Sequence, residues 1–327
     1  MNGNKLNAAA NANDPQKSDW PDTVYHYCDL GAAVSILQNK RLWATHLRYV
    51  NDFSEIDFGL SQAFKEIQVL RAEFQGEAMA TVFVNACEDG LKDHQSWHFY
   101  ACCFSREKDL LSQWRAYADD GAGVALGFST RHLQDCWISN YELHLAEDTS
   151  ICKVSYEFDP IRQLLRDQLG TLDAHLSSPA ADDQEACIKS GRLAADRVLR
   201  ACAAHKSAAF AEEKEYRLFA QLRHIEQLGS TKSPGSSPAR PVIAENIWDQ
   251  IDRAMQSNRA ACRRYRIGRF GMTPYVELEF QPICVQKIIL GPRCKFVRQA
   301  EAVQMMLETF GYPTGSVSID RSAATYQ

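Results

Sequence analysis

The chain has 327 residues, 45% of them hydrophobic and 24% charged, with a formal net charge of −5. That balance supplies core for one large domain or two modest ones. It excludes a disordered chain and a basic protein that coats duplex nucleic acid. No apolar run reaches the ~18 residues that a membrane helix needs. Residues 1–20, rich in Asn, Ala and Lys, lack the apolar block of a secretory signal. They read as a disordered lead-in to a single α+β domain over 21–327. The eleven cysteines include no CxxC pair. No zinc site is therefore expected, and they read as reduced, buried thiols of a cytoplasmic protein.

VYHYC (24–28) alternates and predicts a strand, GAAVSILQNK (31–40) a short helix and RLWAT (41–45) a second strand. In 51–74, Phe53, Ile56, Leu60, Phe64, Ile67 and Leu70 recur at helical spacing, with Asp52 and Glu55 placed as a capping box. WHFYACCFS (97–105) predicts a central strand. DLLSQWRAYADDGAG follows as a short helix stopped at Gly121, then strands at 124–129 and 152–158. Residues 159–209 read as a helical insertion broken near 175–183, and 226–241 as a mobile Ser/Pro/Gly loop. The last third predicts a helix at 243–258, strands near YRIG, YVELEF and VQKIILG, a helix at 297–310 and a short final strand. Strands scattered among helices indicate an α+β class with a mixed, mostly antiparallel sheet and flanking helices.

Several pieces in this order resemble the bacterial DUF2971 family. They are YHY (25–27), LWAT with ND and Glu55 (42–55), CFS through QWRAYADDGAGVALGF (103–128), Lys206 with EEKEYRL (212–218), and KIILGP (287–292). The layout is also similar to the ADP-ribosyltransferases, which implies a split sheet and cleavage of NAD. In that resemblance His26 on the first strand and Ser105 at the end of a central strand are NAD contacts, and Glu215 of Glu213-Lys214-Glu215 is the catalytic carboxylate. The long gap between Ser105 and Glu215 and the sequence CFSRE depart from that family's pattern. The resemblance implies an acceptor that is protein, nucleic acid or water, and such enzymes serve in bacterial defence and as toxins.

Cleavage at the nicotinamide bond passes through an oxocarbenium-like state that a carboxylate stabilises. On one extended strand Glu213 and Glu215 share a face, so Glu213 is placed to orient or deprotonate the acceptor. Tyr27 can stack on a ring. Trp114 and Tyr117, three apart on a helix, can wall the nicotinamide pocket, and Arg48 at a loop-to-helix junction can meet a phosphate. Each residue has a plainer reading beside it. The glutamates can be a solvated helix end, Ser105 a cap on the next turn, His26 and Tyr27 half-buried strand residues, and Trp114 a core residue. Two other functions stay open. One is a non-catalytic nucleic-acid-binding or ligand-sensing protein using RRYRIGR (263–269) and the 25–55 region. The other is a metal-dependent nuclease with Glu213, Glu215 and Asp52 around the metal. No GxGxxG, Walker, HExxH or GxSxG motif supports a dehydrogenase, P-loop or common hydrolase reading.

Overall fold

The alternation in TVYHYC becomes strand β1 (Thr23–Cys28), and Asp29 at its end accepts a hydrogen bond from the Ala32 amide at 2.8 Å. That cap starts helix α1 (Leu30–Asn39), which Lys40 stops in the left-handed conformation, φ 53°. Strand β2 (Arg41–His46) completes the β-α-β opening that the sequence predicts. The structure, a computed structural model, describes residues 20–50, 54–93, 97–139, 149–176, 183–223, 263–268, 271–313 and 315–325. The N-terminal lead-in to residue 19, Asn51 to Phe53, the 226–241 loop and the 243–258 helix lie outside the described residues.

The remaining helices are α2 (Ser54–Glu73), α3 (Ala78–Lys92), α4 (Leu111–Tyr117), α5 (Thr130–Ser139), α6 (Asp159–Leu176), α7 (Asp183–Ala203) and α8 (Phe296–Thr309). The remaining strands are β3 (Trp97–Ser105), β4 (Val124–Ser129), β5 (Thr149–Lys153), β6 (Glu215–Arg223), β7 (Arg263–Gly268), β8 (Gly271–Glu279), β9 (Val285–Leu290) and β10 (Ser318–Arg321). β1 pairs antiparallel with β3 and β4, β2 with β3 and β8, β4 with β9, β5 with β6 and β7 with β8, while β9 and β10 are parallel, so the class is α+β with a mostly antiparallel sheet and flanking helices. The chain divides into two compact units. One comprises residues up to Lys40, Ser105–Cys136 and Phe280 onward, and the other Arg41–Phe104 and Trp137–Glu279.

In the first unit the strand order is β10-β9-β4-β1. The uncharged VALGFS strand, β4, is buried along its whole length and pairs with β1 from Thr23↔Ser129 to Cys28↔Val124. Tyr25, Tyr27, Trp114, Ala118, Ala125 and Ile289 pack together under α4. The segment after α4 turns sharply, with Asp119 and Asp120 both at positive φ (47° and 51°) and Gly121 at 84°. Two consecutive non-glycine residues in the left-handed region cost free energy that surrounding contacts must offset. The contacts are a clasp onto residues 291–294. The Gly291 amide donates to Gly123 O at 2.9 Å, the Arg293 amide to Gly121 O at 3.0 Å, and Arg293 Nη1 to Asp120 Oδ2 at 2.8 Å. A Cβ on Gly291 would sit 2.3 Å from Gly121 O, so only glycine fits there. The YADDGAG and LGP pieces of the family resemblance are the two halves of this clasp.

In the second unit β3, β2, β8 and β7 form one run, with β6 against β3 and β5 against β6. Helices α2, α3, α6 and α7 build its core with Phe99, Ala101 and Phe219 of the strands. Gly191 lets α7 approach α3 closely, because a Cβ there would lie 2.5 Å from Phe83 O. The buried Glu66 of α2 pairs with Arg162 and Arg166 of α6, each at 3.1 Å. The 159–209 segment thus supplies half of a helical core, since Ile161, Leu165, Leu169, Cys187, Val198 and Leu199 are all buried.

Three elements differ from expectation. The strand placed at 152–158 is Thr149–Lys153, because the Ser155 hydroxyl donates to Glu157 O at 2.9 Å and turns the chain out of the ladder. Helices α3 and α5, at 78–92 and 130–139, go beyond the elements that periodicity identified.

Candidate functional site

The candidate residues fall into the two units. His26, Tyr27, Ser105, Trp114 and Tyr117 belong to the first, and Arg48, Glu213 and Glu215 to the second.

In the first unit β1 places Tyr25 opposite Ser105 and His26 opposite Leu126. His26 is half-buried, while Tyr25 and Tyr27 are buried, as alternation predicts. The Tyr27 hydroxyl donates to Glu107 O at 2.7 Å and accepts from the Leu110 amide at 3.0 Å, pinning the turn that leads into α4. Burial, the largest influence, pushes its pKa up, so the hydroxyl stays protonated. Ser105 Oγ accepts from the Glu107 amide at 3.1 Å and caps the same turn. Trp114 is fully buried, edge-on to Tyr27 with ring centroids 4.8 Å apart, and its indole Nε1 donates to Asp109 Oδ1 at 2.7 Å. Asp109 also accepts from the Ser322 hydroxyl and the Ala323 amide, both at 2.6 Å, and so ties the C-terminal segment to α4. Tyr117 is exposed, so the helical spacing does not give it the environment of Trp114.

In the second unit the chain leaves α7, and the Lys206 amide donates to Ser155 O at 2.9 Å. Ser207 caps a 3-10 turn over Ala208–Glu213, and Lys214 follows in the left-handed conformation, φ 44°. Strand β6 begins only at Glu215, so Glu213 and Glu215 are not neighbours on one face of a strand. The Ala-rich stretch extends the helical turn two residues further than alternation implies. The two carboxylates meet by another route. Lys206 Nζ donates to Glu213 Oε2 at 2.6 Å and to Glu215 Oε2 at 3.2 Å.

Glu215 is the more enclosed. Arg217, two residues along β6 and on the same face, donates through Nε to Oε1 at 2.7 Å and through Nη2 to Oε2 at 3.3 Å. Arg217 Nη1 donates to Ala203 O at 2.7 Å, and the Glu215 amide donates to the Tyr156 hydroxyl at 2.9 Å. Cys103 of β3 adds a thiol hydrogen bond to the Glu215 carboxylate. Burial works to raise the pKa of Glu215, but Arg217, with Lys206 behind it, outweighs burial and holds it down to about 2. Glu215 is therefore ionised at neutral pH and acts as a fixed negative charge, not as a proton donor. Two cations face two anions here, and the cluster is electrically balanced.

Arg48 lies in a 3-10 turn after β2, and its amide donates to His46 Nδ1 at 3.2 Å. His46 Nε2 lies 3.0 Å from His98 Nδ1, a contact that joins two residues 52 positions apart. Neither histidine carries a spacing signal in the sequence; the hint is that His98 lies in the run WHFYACCFS, which holds no Asp, Glu, Lys or Arg. Among the described residues no group of three or more His, Cys, Asp or Glu is arranged to hold a metal ion, and Asp52 lies outside them. No helix among them is long and apolar enough to cross a membrane.

No curated protein and no solved structure matches the chain. Residues 113–218, which run from the Trp114 helix to the Glu215 strand, match the model of the family described as Protein of unknown function (DUF2971).

Proposed function

We propose that the protein is an enzyme that breaks the nicotinamide–ribose bond of NAD and passes ADP-ribose to an acceptor or to water, with the Lys206–Glu213–Glu215–Arg217 cluster as its reaction centre. The observation that carries the reading is the convergence of two carboxylates on one ammonium, with Glu215 clamped in its ionised form. The nicotinamide ring of NAD is itself cationic. It can take the place of Lys206 beside Glu213 without upsetting the charge balance of the cluster. As the C1′–N bond breaks, its electron pair goes to the ring nitrogen and neutral nicotinamide leaves. Positive charge develops on the ribose, which the fixed charge of Glu215 stabilises. Water or the acceptor then bonds to C1′ and gives its proton to Glu213, the less enclosed carboxylate. All ten cysteines among the described residues are free thiols, which supports a reducing compartment such as the cytoplasm.

The test is NAD binding by calorimetry together with chromatographic nicotinamide release, in wild type and in Glu213→Gln and Glu215→Gln. Wild type is expected to bind and cleave NAD. Glu215→Gln should lose at least ~100-fold in turnover while still binding it. Absence of both binding and release with water, protein and nucleic acid as acceptors overturns the proposal. A nucleic-acid-binding reading has one observation in its favour. Arg264, Tyr265 and Arg266 of β7 are exposed, and the Arg266 guanidinium lies 5.7 Å from the Trp43 ring.

A further inference from the structure

The ends of β2 and β3 and the start of β7 collect an unusual set of side chains within the second unit. Register puts His46 opposite Tyr100, and Ala44 opposite Val276, which in turn lies opposite Arg263. His46, Tyr100, Arg263 and Tyr265 therefore share one face of these strands. His46 is buried, with ring centroids 5.0 Å from Tyr100, 5.3 Å from Tyr49 and 5.2 Å from His98.

Hydrogen bonding sets the protons. The Arg48 amide donates to His46 Nδ1, so the His46 proton is on Nε2. That N–H donates to His98 Nδ1, so neutral His98 carries its own proton on Nε2 and is a donor there. Burial, then His98, Arg48 and Arg263, drives the His46 pKa down to about 3, which keeps His46 neutral. The formal charges that act on His46 belong to Arg48 and Arg263, both cations, and no carboxylate is among them.

Arg263 carries the strongest pointer to a ligand. It donates to the buried Tyr100 hydroxyl. Among the described residues its Nε is buried and has no hydrogen-bond partner. A buried donor left unsatisfied is costly, and an acceptor brought by a ligand removes the cost. Tyr49 and Tyr265 both act electrostatically on Tyr100, yet they are 52% and 60% exposed. Exposed rings near Tyr100, with Arg48 and Arg263 close to His46, match the two parts of a nucleotide, a phosphate for the donors and a base for the rings.

We propose that Arg263, His98 and Arg48 receive the phosphate of a nucleoside phosphate whose base stacks on Tyr49 or Tyr265. The site is built without Glu213 or Glu215 and does not depend on the NAD-cleavage reading. The phosphate can belong to a free nucleotide or to a single strand of nucleic acid, and the probes separate these.

The test uses the full chain and calorimetry with three probes: adenosine, ADP and a ten-nucleotide single-stranded oligouridylate. ADP binding at least ten times tighter than adenosine supports a free-nucleotide site. Binding of the oligonucleotide alone supports a strand site. In either case Arg263→Ala should weaken binding at least tenfold, and Tyr49→Ala with Tyr265→Ala, at exposed positions that folding tolerates, should weaken it several-fold. Glu215→Gln should leave binding unchanged, which separates failure of this site from failure of the reaction centre. The proposal is overturned if neither phosphate-bearing probe binds better than adenosine, or if the double tyrosine variant and Arg263→Ala bind as wild type does.

Discussion

Glu215 and Arg217 form the most enclosed ion pair among the described residues of the second unit, 4% and 2% exposed. Such a pair contributes little relative to an apolar pair of the same shape, but breaking it strands a charge. Arg217→Met is expected to destabilise the fold by roughly 3–5 kcal/mol, read from urea unfolding. The pH dependence follows with a definite sign. The Glu215 pKa is about 2 in the folded state against an ordinary 4.5. Its ionised form therefore favours folding, in full above about 4.5, and that contribution is lost as pH falls toward about 2. Lys206 and Arg217 face the carboxylate as cations, with Glu213 beyond Lys206. Urea midpoints measured from neutral pH downward should fall for wild type, and Glu215→Gln should lack that acid-side loss. Equal slopes in both would show that Glu215 is not the titrating group. At this scale the sequence identifies Glu213 and Glu215 as a pair but mistakes the reason. They meet through Lys206 because Lys214 turns left-handed, and no local periodicity reports that. His46 and His98 were illegible for the same kind of reason: a contact between two strands is invisible to spacing along either one.

Among the elements, the β-α-β opening was legible to within a residue or two because three signals agree there. Alternation ends at Cys28, Asp29 caps α1, and Lys40 closes it. Helix α3 gave weaker signals. Its sequence, AMATVFVNACEDGLK, mixes β-branched residues with a glycine, and Glu77 at its start makes no side-chain cap. It is helical because Phe83, Val84, Cys87 and Leu91 bury one face against the core of the second unit. The turn at 118–123 shows how a motif recognised by resemblance can be structural. Its aspartates hold strained backbone against residues 291–294, which leaves no room for a Cβ at Gly291. Gly291→Ala should cost about 1–3 kcal/mol through that overlap, seen as a lowered unfolding midpoint. An unchanged midpoint would mean that the clasp yields without cost.

At the scale of the whole molecule, the α+β class was legible because uncharged strand-length runs alternate with long amphipathic segments along the chain. The role of 159–203 was not, because amphipathic helices announce that they need a partner without naming it. Glu66 with Arg162 and Arg166, and the tight approach of α7 to α3 at Gly191, identify the partners as α2 and α3. The family match over 113–218 reaches from the first unit into the second and ends at the strand that carries Glu215 and Arg217. The central claim is that the balanced cluster on that strand serves a glycosidic cleavage. The most direct measurement is proton NMR of NAD incubated with the purified full chain, following the free nicotinamide ring signals. The account predicts their growth with wild type and their near absence with Glu215→Gln at equal folded concentration. Unchanged NAD with wild type, or equal release by both proteins, would contradict it.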